Sequence, residues 1–495
     1  MAINLTTIPA VPELTPYAQK VTLAGNYINF HGNSSSSQWA QQYMPELYQA
    51  EVERYGNRSV SSFLRLVGAE LPMAADQVIW SEQGRLHLAY EGAAVTDAGV
   101  ITIASSGTHS VRVGQTIVLS DNQASPTIIK CYVSAIATDN TTLTAIPYSG
   151  GATVGAVSGF DTATDSGSNT CSFFVYGSEF QKGQNGMVGA VEPKVETFKN
   201  KPIILKDRFE ISGSDAAQIG WIEVSGEAGQ AGYLWYMKAE GDTRVRFEDY
   251  LEMSMVEGVL AKATGGVDSL LGTAGSDDTA GTEGLFAAIE ARGILADRVF
   301  ETNATAAEED PFTTGSVIND FGVIIKELDK QGSIEENMLF LNRDSSIQLD
   351  NALGNISSGA QGGTAYGVFQ NSEQMALNLG FVGFRRGSYD FYKTDWKYLN
   401  NKSTRGLFDD IDGVLVPAGT SSVYDQMMGK NVRRPFLHVR YRASEADDRR
   451  MKSWLTGSVG GAMTSEKDVM EIHYLSERCL VTQAANNFVL FKKYN

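Results

Sequence analysis

The sequence predicts an α+β protein built from several sub-domains, and three observations support this prediction. An apolar stripe at helical spacing occurs between Glu227 and Thr264. Short runs rich in Val, Ile and Thr, separated by Gly, Asn, Asp and Ser, follow one another between residues 93 and 176. Helical and strand-like segments are mixed in the remainder of the chain. A chain of 495 residues is too long for one ordinary hydrophobic core, so we expect two to four sub-domains.

The stretch from about Glu227 to Thr264 predicts the longest helix. The residues that recur every four positions on its apolar face are Phe247, Leu251, Met255 and Val259. Gly241 lies within the stretch and costs about 1 kcal/mol relative to Ala. The sequence therefore leaves two alternatives, one bent helix or two helices divided at Gly241-Asp242, and Gly265-Gly266 is expected to end the stretch.

The N-terminal part of the chain predicts an arm followed by two helices. Residues 1–36 are polar and interrupted by three prolines, which indicates an extended N-terminal arm. Residues 37–76 contain a helical stretch that opens at Ser37 or Gln38 and ends at Gly56-Asn57. A second helix is expected within SVSSFLRLVGAEL, before Pro72.

Residues 77–92 and 177–214 predict a two-stranded ribbon. The segment QVIWSEQGRLHLAYEG alternates as a hairpin does, with Gln83-Gly84 at the turn, and residues 191–213 supply a return arm. Between the arms, residues 93–176 contain five or six short strands with almost no charge. This pattern predicts an inserted β-barrel or β-sandwich, and the sequence does not distinguish the two.

The chain after residue 265 alternates helices with strands. GLFAAIEARGIL and Ser316–Lys330 predict helices, NMLFLNRD predicts a buried strand, and SSIQLDNAL predicts a helix capped by Ser345 or Ser346. Residues 354–380, rich in Gly, Ser and Asn, predict a mobile loop. The final part is strand-rich, with a helical turn or short helix at Glu445–Leu455 and a last strand, NFVLFKKY.

Charge is unevenly distributed along the chain. The formal net charge is −18 and the isoelectric point is near 4.8, which argues against a protein that coats nucleic acid. Residues 206–344 contain 27 acidic and 11 basic residues, whereas residues 381–460 contain 14 basic and 9 acidic residues. Two tracts of opposite sign suit head-to-tail contact between copies of the chain. Solvated faces of unequal sign are the alternative explanation.

The sequence contains none of the familiar motifs of catalysis or metal binding. It lacks a nucleophile elbow, a phosphate-binding loop and an H-E-x-x-H pair, and its five histidines are scattered. The acidic run Asp409–Gly413 is expected to be a solvated turn, since it lacks the ligand series of a calcium loop. The runs Glu308-Glu309-Asp310 and 447–450 are solvated faces or inter-subunit ion-pair sites. We therefore expect no catalytic residue, metal or cofactor.

Three widely spaced cysteines indicate a reducing compartment without a disulfide framework. The first residues, MAINLTTIPAVPELTP, do not read as a signal peptide. No apolar run approaches 18 residues, so no membrane span is predicted.

The order of these parts resembles the major capsid proteins of tailed bacteriophages with the Hong Kong 97 fold. The resemblance is carried by the ribbon segments, by WYMKAEGDTRVRFEDYLEMSMVEG, and by the C-terminal series GFVGFRRGSYDFYKTDWKYL, DGVLVPAG and LSERCLVTQAANNFVLF. It covers nearly the whole chain except residues 93–176. The sequence also looks similar to the capsid proteins of crAss-like phages.

The resemblance implies a name for each part of the chain. Residues 1–36 would be the N-arm, residues 37–76 the N-terminal helices, and residues 77–92 with 177–214 the E-loop. The spine helix and peripheral domain would occupy residues 215–353, and the axial domain residues 354–470. Residues 471–495 would return to the peripheral domain as a C-terminal strand.

The resemblance also implies partners and a location. The chain would form hexamers and pentamers of an icosahedral head that encloses double-stranded DNA, with portal, scaffold and head accessory or decoration proteins as partners. The protein would be part of the virion and would be assembled in the host cytoplasm. We expect inter-subunit contacts at Arg433, Arg434, Lys199, Lys201, Lys206, Glu308, Glu309 and Asp310.

Two rival functions remain open from the sequence. An encapsulin-like compartment would have the same fold but would hold protein cargo. A hydrolase with a β-rich accessory module would be a stable monomer with a cleft and a perturbed carboxylate pair.

Overall fold

The computed structural model describes most of the chain from residue 63 onward. The described ranges are 63–103, 108–123, 125–162, 170–189, 191–217, 224–225, 231–232, 235–296, 317–349, 382–425, 430–459 and 463–492. They divide into two compact units, and the second is Ile79–Phe198. The first unit comprises the described residues up to Val78 and from Lys199 onward. The predicted N-arm, the first predicted helix, residues 308–310 and the loop 354–380 lie outside the described residues.

Short helices accompany one long helix. The long helix is Trp235–Glu257. The others are Phe63–Val67, Gly213–Ala216, Val267–Leu271, Leu285–Arg292, Val317–Asp329, residues 343–349 and Lys397–Asn400, with 3-10 turns at Val154–Ala156, Arg405–Leu407 and Ala485–Asn487. None of the described helices is long and apolar enough to cross a membrane.

Strands predominate, so the chain is a strand-rich α+β protein. In chain order they are β1 Glu70–Met73, β2 Val78–Gln83, β3 Ala89–Val95, β4 Val100–Thr102, β5 Gln115–Ser120, β6 Ile128–Ile136, β7 Thr142–Pro147, β8 Thr170–Ser178, β9 Val195–Asn200, β10 Ile203–Ser212, β11 Val224–Ser225, β12 Ala231–Gly232, β13 Ile294–Ala296, β14 Glu336–Leu341, β15 Val382–Arg386, β16 Tyr389–Asp395, β17 Ile411–Pro417, β18 Thr420–Asp425, β19 Lys430–Pro435, β20 Leu437–Arg442, β21 Lys452–Gly457, β22 Val469–Thr482 and β23 Val489–Lys492.

The second unit contains a closed six-stranded barrel with strand order β3-β4-β7-β6-β5-β8. Alternate residues of each strand point inward, as Ile117 and Leu119 do on β5 and Cys131 and Val133 on β6. Gly99 closes the turn between β3 and β4 with a φ of +79°, and a Cβ there would lie 2.2 Å from the Ala145 carbonyl oxygen. Of the two predicted alternatives, the structure shows the barrel.

A six-stranded mixed sheet forms one part of the first unit, with order β13-β23-β17-β14-β16-β15. β13 and β14 pair in parallel with β23 and β16, and the other pairs are antiparallel. β17 is buried along its whole length, as expected of a central strand. The helix Val317–Asp329 contributes Ile324 and Leu328 to the core beside this sheet.

A five-stranded sheet forms the other part of the first unit, around β22. This 14-residue strand pairs antiparallel with β10, β20 and β21, and β1 extends the sheet beyond β20. The long helix contacts this sheet through Phe247 and Leu251, which pack against Tyr474 of β22. Met255 and Val256 continue the same helix face into the largest core cluster.

The long helix is one continuous helix, shorter than the apolar stripe predicts. It passes through Gly241 without a break and ends at Glu257, before Gly258. A Cβ at Gly258 would lie 2.7 Å from the carbonyl oxygens of both Ser254 and Thr282, so glycine is needed just after the helix end, which comes well before Gly265-Gly266. Val259, the fourth member of the predicted stripe, is outside the helix and exposed.

The predicted hairpin at Gln83-Gly84 is wrong. β2 pairs with β9, and the Gly84 N–H donates to the Lys194 carbonyl oxygen at 2.7 Å. The next strand, β3, belongs to the barrel. The predicted return arm is divided as well, because β9 pairs with β2 whereas β10 pairs with β22.

Three local predictions are also corrected. The helix predicted to reach Pro72 ends at Val67, and β1 begins at Glu70. The expected helix at Glu445–Leu455 is absent. This segment forms turns and the strand β21, which pairs antiparallel with the long strand β22. The helix at 343–349 is capped by Asn342, whose Oδ1 accepts the Ser345 N–H at 2.8 Å.

Candidate assembly surfaces

The ribbon of β2 and β9 has two open edges, since no third strand pairs with it among the described residues. Its two faces differ. One face carries Trp80 and Phe198, whose ring centroids are 6.1 Å apart. Side chains alternate between the two faces of a strand, so Ile79, next to Trp80, and Val195, three residues before Phe198, point to the opposite face. Both are exposed. A two-stranded sheet is marginal by itself, and this one offers both edges and two exposed apolar side chains for contact.

Asn200, at the end of β9, holds this strand to two distant segments. Its side chain is buried, and its Oδ1 accepts the N–H groups of Lys201 and Glu283, each at 2.8 Å. Its Nδ2 donates to the carbonyl oxygens of Leu480 at 2.6 Å and Glu283 at 2.9 Å. The Thr282 hydroxyl donates to Oδ1 at 3.2 Å. Every polar atom of this amide is therefore satisfied.

The three predicted contact lysines occupy two neighbouring strands and the segment between them. Lys199 is exposed on β9 and lies 3.5 Å from Asp278. Lys201 is half-buried after β9, and Lys206 is exposed on β10 opposite Leu475. Within the chain, only Lys199 of these three has an ion-pair partner among the described residues.

The two predicted contact arginines lie on a second two-stranded sheet, formed by β18 and β19. Arg433 is exposed and Arg434 half-buried, opposite Ser422 and Ser421 respectively. The Ser421 hydroxyl donates to Gln483. The other three predicted contact residues, Glu308, Glu309 and Asp310, lie outside the described residues.

The run 447–450 is engaged inside the chain, which neither sequence interpretation anticipated. Arg449 pairs with the buried Glu477 at 3.0 Å, Arg450 pairs with Glu70, and Asp447 pairs with Lys452 at 2.7 Å. Glu477 also binds Arg442 at 2.8 Å. Glu70 and Glu477 are distant in sequence from this run, so no local pattern could have indicated their ion pairs with it.

A second polar cluster lies at the end of the long helix. Arg405 donates to both carboxylate oxygens of Asp410, at 2.9 and 2.6 Å, and to Glu257 at 2.8 Å. The Tyr398 hydroxyl donates to the other Glu257 oxygen at 2.6 Å. Burial and this contact with Glu257 raise the pKa of Tyr398. Although burial lowers the pKa of Arg405, its bonds to Asp410 and the Glu257 charge raise it overall.

Two carboxylates of the acidic run 409–413 therefore bind side chains elsewhere in the fold. Asp410 binds Arg405, and the buried Asp412 accepts the Asn342 amide N–H at 3.0 Å. In the described part of the chain, no three His, Cys, Asp or Glu side chains converge as they do around a metal ion.

Glu252 of the long helix is buried and faces the start of the described chain. Its Oε1 accepts the Phe63 N–H at 2.9 Å. Burial raises the pKa of Glu252 to about 7. One turn earlier, Glu248 lies 3.7 Å from Arg65. The long helix thus holds residues 63–65 through two carboxylates, and the sequence pattern showed neither contact.

Comparison with solved structures gives matches at low sequence identity. No protein-family model matches the chain, and no curated protein matches it. The asymmetric unit of the bacteriophage PhiM1 mature capsid aligns at 9% identity and a TM-score of 0.38, covering 94% of this chain and 98% of that chain. The capsid of cyanophage P-SCSP1u aligns at 8% identity and a TM-score of 0.37, covering 91% and 93%. A chain of Microbacterium phage Oxtober96 gives 9% identity and 0.36, covering 92% and 97%. These TM-scores are too low to show a common fold.

Proposed function

We propose that this chain is a major capsid protein of a tailed bacteriophage, with an architecture of the Hong Kong 97 type. Copies would form hexamers and pentamers of an icosahedral head that encloses double-stranded DNA. The observation that carries the proposal is the ribbon of β2 and β9, which leaves two strand edges without a strand partner in the described chain and exposes Ile79 and Val195. Such a surface is stabilised when it lies on neighbouring copies, as in obligate interfaces, which commonly exceed about 2,000 Å².

We assign the named parts of the proposed shell subunit according to the sheet to which each strand belongs. The ribbon corresponds to the E-loop, with the barrel inserted in it, and the long helix to the spine. The long helix and the five-stranded sheet around β22 would form the peripheral domain. The six-stranded sheet would form the axial domain. This proposal draws the boundaries by strand pairing and not at residues 353 and 470.

The proposed contents and partners follow from charge and from the sequence resemblance. A net charge of −18 would let an acidic inner wall repel packed DNA, so that the DNA slides and does not adhere. Portal, scaffold and accessory proteins would complete a virion assembled in the host cytoplasm. A hydrolase is less well supported, because Glu252, a carboxylate of the described residues whose pKa is raised, is buried against the Phe63 N–H.

The test is expression of the chain alone, followed by size-exclusion chromatography and negative-stain microscopy. Rings or shells of uniform size are expected. A monomer that stays monomeric with every candidate scaffold protein would overturn the proposal. Shells that contain protein and no nucleic acid, from a genome lacking a portal and terminase, would instead establish the encapsulin-like alternative.

A further inference from the structure

Two loops of the first unit each present a pair of adjacent apolar side chains to solvent. Leu270 and Leu271 are 82% and 79% exposed, and Leu407 and Phe408 are 64% and 69% exposed. Single exposed apolar residues are normal on protein surfaces. Adjacent pairs with this exposure suggest contact surfaces when the loops that carry them are rigid.

The first loop, residues 258–283, is held by hydrogen bonds within itself. The buried carboxylate of Asp268 accepts the Gly275 N–H at 2.6 Å. Asp277 accepts the Ala263 N–H at 2.6 Å, and Leu260 forms a β-bridge with Gly281. These bonds fix the short helix Val267–Leu271 with its two leucines pointing outward.

The second loop, residues 401–410, is fixed by the polar cluster at the end of the long helix. The Thr404 hydroxyl donates to the Tyr398 carbonyl oxygen at 2.6 Å. Arg405 is bound by Asp410 and Glu257, and its guanidinium carbon lies 5.8 Å from the centre of the Phe408 ring. Leu407 and Phe408 are thus held on a braced 3-10 turn.

The surroundings of the two pairs differ in charge. Residues 258–283 contain four acidic residues and one lysine, whereas the loop 401–410 contains two basic and two acidic residues and is preceded by Lys397. Asp277 is exposed in the first loop, and Lys397, Lys402 and Asp409 are exposed around the second. Charge complementarity of this kind favours contact between the two loops on different copies.

We propose that loop 258–283 of one copy docks on loop 401–410 of a second copy, with Leu270-Leu271 against Leu407-Phe408. The inference rests on the proposed shell function and names one of its contacts. Because the two surfaces differ, the contact is head-to-tail and propagates around a ring. The pairs bury a few hundred Å², well below the roughly 1,200 Å² of the smallest stable interfaces. In a ring of copies, several contacts act together and supply the remaining buried area that a stable interface needs.

Cross-linking between introduced cysteines tests this contact directly. The natural cysteines Cys131, Cys171 and Cys479 are buried, and burial raises the pKa of each to about 12, so a maleimide should spare them. L271C and F408C chains that are mixed, assembled together and then treated with a short bismaleimide should give a cross-linked dimer. The doubly substituted chain should give a ladder of oligomers. The matched control is A274C, exposed on the same loop, mixed with F408C; its yield should be about tenfold lower.

A polar substitution gives a second, independent readout. The L270S/L271S variant should keep the melting temperature of the wild type, because both side chains are exposed, while its shell yield falls about tenfold. Wild-type shells with cross-links no stronger than the control, or normal shells from L270S/L271S, would refute the docking but leave the capsid function standing. A wild-type chain that never assembles would refute the capsid function. A cross-link specific to L271C with F408C in such a chain would still establish the contact.

Discussion

Asn200 joins three segments that are far apart in sequence. Replacement by Ala would leave the Lys201 and Glu283 N–H groups and the Leu480 carbonyl without their present partners inside the protein. Since each unsatisfied buried group costs about 1–3 kcal/mol, we expect N200A to lose about 3 kcal/mol or more of unfolding free energy. Denaturant unfolding of the first unit measures this loss. The control is N486A, at a half-buried amide, which should cost about 1 kcal/mol. Equal losses would contradict the role given to Asn200.

Glu252 predicts an unusual dependence of stability on pH. Its pKa in the folded chain, about 7, exceeds the ordinary value of 4.5, so the folded state binds the proton more tightly than the unfolded state. Its contribution to stability is therefore most favourable below pH 4.5 and declines as the pH rises to 7. Above pH 7 the buried charge costs at most about 3 kcal/mol.

The E252Q variant should therefore be more stable than the wild type at pH 8, and the difference should shrink at pH 5. Its amide oxygen can still accept the Phe63 N–H. Thermal unfolding at the two pH values measures both effects. E248Q is the control, because Glu248 sits one turn away and pairs with Arg65 and Arg244 at the surface. An E252Q variant less stable than the wild type at pH 8 would show that the carboxylate charge is favourable there.

At the scale of elements, the barrel is expected to be removable. Its first and last strands, β3 and β8, pair antiparallel, with Ala89 opposite Phe174, so these two residues lie side by side. Replacing residues 89–174 by a short Gly-Ser linker should leave the first unit folded, because insertions of this kind are tolerated where chain ends are close. Calorimetry of the variant should show the first unit's transition unchanged. Loss of all cooperative unfolding would contradict the division into two units.

Sequence patterns indicated the elements that are governed by local periodicity. The helix at 317–329 and the long helix both have apolar residues at helical spacing, and the barrel strands alternate between inward and outward residues. Partner choice was not visible. β9 and β10 form one continuous strand-like run, yet Asn200 and the pairing of β10 with β22 divide them.

For the candidate contact residues, the sequence predicted that the charged side chains are exposed but not which residues they pair with. Exposure of Arg433, Lys199 and Lys206 follows from their type. In contrast, the pairing of residues 447–450 with Glu70 and Glu477 depends on the order of strands in the five-stranded sheet. The apolar pairs at 270–271 and 407–408 carry no periodic signal, because loops expose them where a helix or strand would bury one of each pair.

At the scale of the whole molecule, the opposite charges of residues 206–344 and 381–460 predict that assembly is sensitive to charge reversal. R433E/R434E should block assembly, and R433E alone should do so while leaving the melting temperature nearly unchanged, since Arg433 is exposed. Light scattering and negative-stain microscopy measure assembly. K130E/K182E introduces the same charge change on exposed sites of the second unit and should assemble normally. Wild-type shell yield from R433E/R434E would remove these arginines from the interface.

The position of β23 in its sheet has a consequence for biosynthesis. This strand lies between β13 and β17, and its residues Val489 to Phe491 are fully buried. The ribosome makes β23 after every other strand of the sheet. Until then, β13 on one side and the four strands from β17 to β15 on the other side lack the strand that joins them. Chains that stop before residue 489 would expose an open slot and two unpaired strand edges. If the proposed shell function holds, translation would thereby withhold defective subunits from a growing particle, because a subunit becomes competent only when β23 arrives.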